Sequence, residues 1–216
     1  MRRRKKKGSD IKLLSFNDYV LRENIENLKG NWKNTFKNNN PIHIEVGTGR
    51  GQFITTLAKN NPEINYIAME IKEEVLLKAV EKAHENNLEN ILFIWGDVSR
   101  LEDYFAEDEL SRVYVNFCDP WPKKRWSKRR LTHTNFLNKY FNILNKEGEV
   151  HFKTDNEKLF EFSLNEISKN DLLLKNISLD LASSDYTENV TTEYEDKFMS
   201  KGMKIFRCEA SRRINK

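Results

Sequence analysis

Short apolar runs alternate along the chain with longer stretches whose apolar residues recur at helical spacing. The runs Ile42 to Val46, Tyr66 to Glu70, Ile91 to Trp95, Val113 to Phe117 and Glu149 to Lys153 have the length and residue types of strands. Between them, Phe53, Ile54, Leu57 and Ala58 share one helical face; so do Val75, Leu76, Ala79, Val80 and Ala83, and later Phe136, Leu137, Tyr140, Phe141 and Leu144. Such alternation builds βαβ units, so the predicted class is α/β, a doubly wound, Rossmann-like and mostly parallel sheet. Residues 1–40 read as a polar arm with a helix over Phe16 to Leu28, and residues 41–216 as the domain proper. Towards the C-terminus the alternation stops. Strands are expected at Leu172 to Leu181 and Met203 to Cys208, joined by a long polar connection without a helix, and such a pair meets only in antiparallel fashion.

Charge changes this picture more than composition does. Across 216 residues, 37 cations against 33 acids give a net +4, but the cations are clustered. Residues 2–7 supply six and residues 123–130 six more, with no acid in either segment; the remaining 25 cations face 33 acids, a net −8. An acidic body with two basic patches suits an anionic polymer bound at chosen places. Taken alone, the patch at Arg2 to Lys7 reads equally well as a solubilising tail. That basic start leads into Gly8-Ser9-Asp10 rather than an apolar stretch, and no apolar run approaches the roughly 20 residues that cross a bilayer. A soluble, cytoplasmic protein is expected, monomeric or homodimeric, with no membrane partner. Cys118 and Cys208 are too few for a disulfide framework, and His43, His84, His133 and His151 are scattered, so no metal is expected.

Directly after the first run, Glu45-Val46-Gly47-Thr48-Gly49-Arg50-Gly51 opens a helical stretch. Its glycines allow a tight turn and the close approach of a ligand to helix N–H groups. The spacing G-x-G-x-G differs from the dinucleotide fingerprint, and no Lys-Ser/Thr follows to make a phosphate loop. Nineteen residues past Gly51, Glu70 ends the second run, where a carboxylate can accept both hydroxyls of a ribose. Asp97 ends the third and can accept from an exocyclic adenine amine; Glu45 belongs to the same rim. Any one of these acids alone is more simply a cap or a solvated loop residue. Together they repel a pyrophosphate and suit a sulfonium with a cationic amino group, which favours S-adenosylmethionine over NAD. A parallel sheet closed by an antiparallel strand is also the methyltransferase form of the doubly wound fold, whereas dinucleotide dehydrogenases continue with further βαβ units.

The most specific stretch follows the fourth strand: Asn116-Phe117-Cys118-Asp119-Pro120-Trp121-Pro122-Lys123-Lys124-Arg125-Trp126-Ser127-Lys128-Arg129-Arg130. It lies at the carboxyl edge, where ligands bind in such sheets. Two prolines in three residues preset φ and hold Asp119 in place, and the cations downstream draw phosphates towards it.

Three motifs occur in the order found in the tRNA (guanine-N7-)-methyltransferases: the E-V-G-T-G-R-G turn, the D-P-W-P-K-K-R…K-R-R block and a late T-E-Y-E segment. The chain resembles that family from about Ile42 to Arg207. The resemblance implies methylation of guanosine at position 46 in the variable loop of tRNA. It implies that Glu45, Glu70, Asp97 and Asp119 line the S-adenosylmethionine pocket beside Gly47, Gly49 and Gly51. Lys123, Asp155, Thr192, Glu193, Tyr194 and Glu195 would contact substrate, and Lys124, Arg125, Trp126, Lys128, Arg129 and Arg130 would hold RNA. Tryptophan stands at 126 where the family often has histidine, and its ring can stack on a base.

The chemistry asks for orientation rather than a base. Guanine N7 has a lone pair and no proton, while positive charge develops on the purine as the methyl arrives. A fixed carboxylate such as Asp119 can offset that charge, and Lys123 can donate to O6 beside N7. Asp155, Glu193 and Glu195 can accept from the N1–H and amino group of guanine. The same residues admit other readings: an exocyclic-amino methyltransferase, because D-P-W-P resembles the N/D-P-P-Y/W turn; a non-catalytic RNA-binding protein; and, least favoured by the acidic rim, a dehydrogenase.

Overall fold

The computed structural model describes residues 8–213; the basic stretch Arg2 to Lys7 lies outside the described residues. In chain order the elements are α1 (Ser9–Leu14), β1 (Val20–Leu21), α2 (Trp32–Phe36), β2 (Ile42–Val46), α3 (Gln52–Asn60), β3 (Asn65–Glu70), α4 (Glu73–Glu85) and β4 (Ile91–Trp95). They continue with α5 (Leu101–Tyr104), β5 (Leu110–Asn116), α6 (Thr134–Ile143), β6 (Leu144–Thr154), α7 (Glu157–Lys169), β7 (Leu173–Ser178), α8 (Glu193–Met199) and β8 (Phe206–Ser211). The strands form one sheet in the order β1-β4-β3-β2-β5-β6-β8-β7. Strands β1 to β6 pair in parallel, and β8 runs antiparallel to both β6 and β7.

Strand alternation divides the core between the two faces of the sheet. On β3, Ile67 and Met69 join Ile44, Val113 and Phe152 in the apolar layer packed by α5, α6 and α7. Tyr66 and Ala68 point the other way, into the layer made by Phe53 and Ile54 of α3 and Leu76, Ala79 and Val80 of α4. Helix α4 carries Glu73 and Glu74 in its first turn and Lys82 and His84 in its last, in the sense that complements the helix dipole. Helix α7 starts at Asn156, whose side chain accepts from the Leu159 amide.

Several expectations change here. The helix expected over Phe16 to Leu28 is absent: Val20–Leu21 forms a strand beside β4, Asn24 takes φ 56, and only a 3-10 turn follows at Ile25–Leu28. Residues before position 40 share the main core: Ile25 and Trp32 belong to the same apolar cluster as Ile44 and Val113. Trp32 is fully buried, stacks on Phe105 with ring centroids 5.0 Å apart and donates its indole N–H to the Tyr104 carbonyl at 2.9 Å. The C-terminal connection does contain helix, α8, besides a 3-10 turn at Leu181–Ser183.

Because β2 is central and the chain steps outward first through β3 and β4 and then through β5 and β6, the order of strands reverses between β2 and β5. At such a switch point the loops leaving neighbouring strands diverge and leave a crevice at the carboxyl edge. Every acid singled out from strand ends in the sequence faces that edge or the loops leaving it.

Candidate active site at the carboxyl edge of the sheet

The glycine turn between β2 and α3 is pinned to β3 by the Gly47 and Thr48 amides, which donate to the Met69 carbonyl at 2.9 and 3.0 Å. Gly47 and Gly49 have φ 77 and 59, and a Cβ on either would meet nothing within 4 Å, so open space lies over the turn. Gly51 differs. A Cβ there would fall 2.4 Å from the Ala79 Cβ, so this glycine permits the close packing of α3 against α4.

Glu45 stands under the turn, 2% exposed, with one carboxylate oxygen accepting from the Thr48 hydroxyl at 2.5 Å and the other from the Asn116 amide at 2.8 Å. Burial pushes its carboxyl up to about 7, against the hydrogen bonds from Thr48 and Asn116 and the charge of Lys153. Glu70 reaches back to the turn, accepting from the Gly49 amide at 3.2 Å, while its second oxygen accepts from the amides of Ile71 and Lys72 at 2.9 and 3.0 Å. Asp97 is exposed and accepts from the Ser99 amide at 2.8 Å. Beside it, the Arg22 guanidinium lies 4.3 Å from the Trp95 ring centroid and donates to the Trp95 carbonyl at 2.8 Å, while the Trp95 indole N–H donates to the Ile71 carbonyl at 3.1 Å.

Asp119 is exposed, and its carboxylate makes no hydrogen bond to any described residue. Its loop is bent by two left-handed residues on either side, Phe117 with φ 49 and Trp121 with φ 41. Arg130 locks the turn: its Nε donates to the Pro120 carbonyl at 3.0 Å, its Nη2 to the Trp121 carbonyl at 3.1 Å, and its guanidinium lies 4.2 Å from the Phe162 ring centroid. The rigidity expected from the prolines thus has a second source in a residue read from the sequence as an RNA contact. The neighbouring Cys118 thiol is pushed up to about 12 by burial, which keeps it protonated.

Lys124–Arg129 winds into a 3-10 turn, and its cations gather on two rings. Lys123 and Arg125 lie 5.0 and 5.1 Å from the Trp126 ring, Arg129 lies 5.0 Å from Trp121, and the two indoles meet edge to face at 5.8 Å. Lys123, Lys124, Arg125, Lys128 and Arg129 are all exposed.

Helix α8 crosses the same edge. Its N-cap Thr192 accepts from the Glu195 amide at 3.0 Å. Glu193 pairs with Lys82 of α4, and Asp196 accepts from the Gln52 side chain of α3 at 2.6 Å. Glu195 is fully buried; it accepts from Lys153 at 2.7 Å and from the Asn189 amide at 2.6 Å, so both its oxygens are spent on anchoring the helix. Tyr194 is left 60% exposed, its ring facing Phe117. Asp155, partly exposed after β6, has no hydrogen-bond partner among the described residues.

Away from this edge, Glu149, His151 and Glu209 bring ligand atoms within 4.8 Å of one another. Those carboxylates are bonded to Arg112, Lys175 and Arg207, so cationic side chains already balance them. Among the described residues, no helix is long and apolar enough to cross a membrane.

Residues 39–208 match a family model described as a putative methyltransferase. A tRNA (guanine-N(7)-)-methyltransferase of Clostridioides difficile (strain 630) is 71% identical over 213 residues, covering 99% of this chain and 100% of that one. The chain belongs to the tRNA (guanine-N7-)-methyltransferase family. Another protein of that name, from Halalkalibacterium halodurans, is 54% identical over 87% of this chain and 85% of its own. Among solved structures, an antibiotic-related methyltransferase has the same fold, with a TM-score of 0.62 at 18% identity over 86% of this chain and 94% of that one. The chain is therefore a methyltransferase, and the acid-lined edge is its candidate active site. Sequence reasoning missed several residues of that edge. Asn116, quoted only as the start of the D-P-W-P stretch, and Lys153, read only as the end of a strand, hold Glu45 and Glu195. Thr192-Glu193-Tyr194-Glu195 has the S/T-x-x-E/Q form of a capping box and could have announced α8.

Proposed function

We propose that the chain transfers the methyl group of S-adenosylmethionine to N7 of the guanosine at position 46, in the variable loop of tRNA. One observation carries this reading: of the paired strands β2 and β5, β2 runs into an acid-rimmed glycine turn with open space above it, and β5 runs into Asp119, whose carboxylate has no hydrogen bond among the described residues and is followed by exposed cations on tryptophan rings. Family membership supports it.

S-adenosylmethionine, when bound, supplies an electrophilic methyl group. Glu70 would accept the ribose hydroxyls, exchanging its present bond to the Gly49 amide, and Asp97 would accept from the adenine amine. Glu45 sits directly beneath Gly47 to Gly49, where its ionised form balances the cationic amino group. Asp119 orients the guanine and offsets the charge that grows on the purine, and Lys123 donates to O6. Asp155 and Glu193 accept from the N1–H and amino edge. Glu195 and Thr192 serve the site by seating α8. Lys124, Arg125, Lys128 and Arg129 take the phosphates and Trp126 stacks, while Arg130 keeps the Asp119 turn in shape.

Incubation with labelled S-adenosylmethionine and unmodified tRNA, followed by mapping of the labelled nucleotide, tests the reading. The expected product is 7-methylguanosine at one variable-loop site. Label on an exocyclic amine, as N2-methylguanosine or N6-methyladenosine, would assign the other chemistry.

A further inference from the structure

Phe117 and Tyr194 come from distant segments, yet their rings are nearly parallel, 17° apart, with centroids separated by 6.4 Å. Phe117 is the first residue after β5 and has φ 49. A bulky aromatic side chain rarely adopts that left-handed conformation, which persists only where the surroundings enforce it. Here the Phe117 amide donates to the Lys153 carbonyl at 2.9 Å, which fixes the ring at the mouth of the site, two residues from Asp119.

Tyr194 is 60% exposed, and its ring meets Phe117 and Phe198. Its neighbours Glu193 and Glu195 are tied to Lys82 and Lys153, and Asp196 to Gln52, so the helix that carries the phenol ring is anchored to α3, α4 and β6. Two parallel rings that flank a third need about 7 Å, two stacking steps of about 3.4 Å. The centroids of Phe117 and Tyr194 are separated by close to that distance, and the rings are 17° from parallel.

We propose that Phe117 and Tyr194 form an aromatic slot that takes the target nucleobase between their faces and presents it to Asp119. The proposal deepens the functional reading above and rests on it. The slot supplies stacking without sequence choice; Asp119, Lys123 and Asp155 supply the choice of guanine at the edges of the base. Phe117 is thereby a positioning residue that contacts substrate, a role its place in the N-F-C-D-P-W-P stretch does not announce.

The test compares wild type with Tyr194→Leu, Tyr194→Phe and Phe117→Leu on two RNAs, intact tRNA and the same tRNA with an abasic nucleotide at the target position. On intact tRNA each leucine variant is expected to weaken binding or slow single-turnover methyl transfer about tenfold or more, while Tyr194→Phe keeps near-wild-type behaviour because stacking needs no hydroxyl. On abasic tRNA all four proteins should bind alike. Equal penalties on intact and abasic tRNA would mean that the rings serve only the fold, and unchanged activity in both leucine variants would likewise overturn the slot. Tyr194 is exposed, so its variant remains informative should Phe117→Leu fold poorly. A product other than 7-methylguanosine would sink the functional reading, while the abasic comparison would still report on the slot.

Discussion

The Lys153 ammonium group lies 2.7 Å from the Glu195 carboxylate, with the two side chains only 6% and 0% exposed. Strand β6 and helix α8 are thus joined by a buried ion pair, which Asn189 and the Val190 carbonyl complete. Breaking one half strands the other charge without water. Lys153→Met is expected to destabilise the fold by about 3 kcal/mol in urea unfolding, and adding Glu195→Leu should recover most of that loss. Single and double variants alike should transfer methyl groups poorly, because α8 loses its seat. A double variant as unstable as Lys153→Met would contradict the pairing.

Adjacent arginines have different duties. Arg129 is exposed over Trp121, whereas Arg130 is bonded to the Pro120 and Trp121 carbonyls. Arg129→Ala should weaken tRNA binding and lower the slope of log K against log salt by about 0.7 to 0.9. Arg130→Ala should leave that slope as it is and reduce the methyl-transfer rate. A wild-type slope in Arg129→Ala would show that its guanidinium does not touch phosphate, and a lowered slope in Arg130→Ala would show that its guanidinium does.

Glu45 predicts how donor affinity depends on pH. Its carboxyl is held up near 7 by burial, and a cationic ligand favours the ionised form, so binding below pH 7 must release a proton. The sign follows: affinity for S-adenosylmethionine rises with pH up to about 7 and flattens above it. Calorimetry across about pH 5.5 to 8.5 reads this directly, and Glu45→Gln should remove the slope while weakening binding.

Gly51 is a packing glycine at φ +81, with Ala79 where a Cβ would go. Gly51→Ala is expected to cost on the order of 2 kcal/mol or more in thermal or urea unfolding, and Ala79→Gly in the same chain to return part of it. Should Gly51→Ala retain full stability and lose only donor binding, the glycine would belong to the ligand site after all.

Much of the fold was legible because one period dominated each segment. Ile42–Val46 and Ile91–Trp95 have the bounds that their apolar runs suggested, the first buried throughout and the second buried at Ile91, Phe93 and Ile94. Helix α7 went unread: its buried face includes Ser163 and Glu166 among Leu159, Phe160 and Ile167, so its apolar stripe is broken. Helix α8 looked like a polar loop because it is held by charge pairs, and the residues it buries are Glu195 and the capping Thr192. Val20–Leu21 could not be separated from a helical pattern, since only its pairing with β4 makes it a strand. At the site, the strand-end acids were legible from their order, but no sequence pattern says which carboxylates are spent on the protein itself. Glu195 and Glu45 are bonded on both oxygens, while Asp119 and Asp155 are free of hydrogen bonds among the described residues.

In the proposed reaction the Asp119 carboxylate, free of hydrogen bonds among the described residues, stabilises the guanine as its N7 accepts the methyl group. Single-turnover methyl transfer by Asp119→Asn, with saturating donor and tRNA, isolates that role. The rate is expected to fall by about 100-fold or more, with tRNA affinity nearly unchanged. Near-wild-type transfer to guanine N7 by Asp119→Asn would contradict the account.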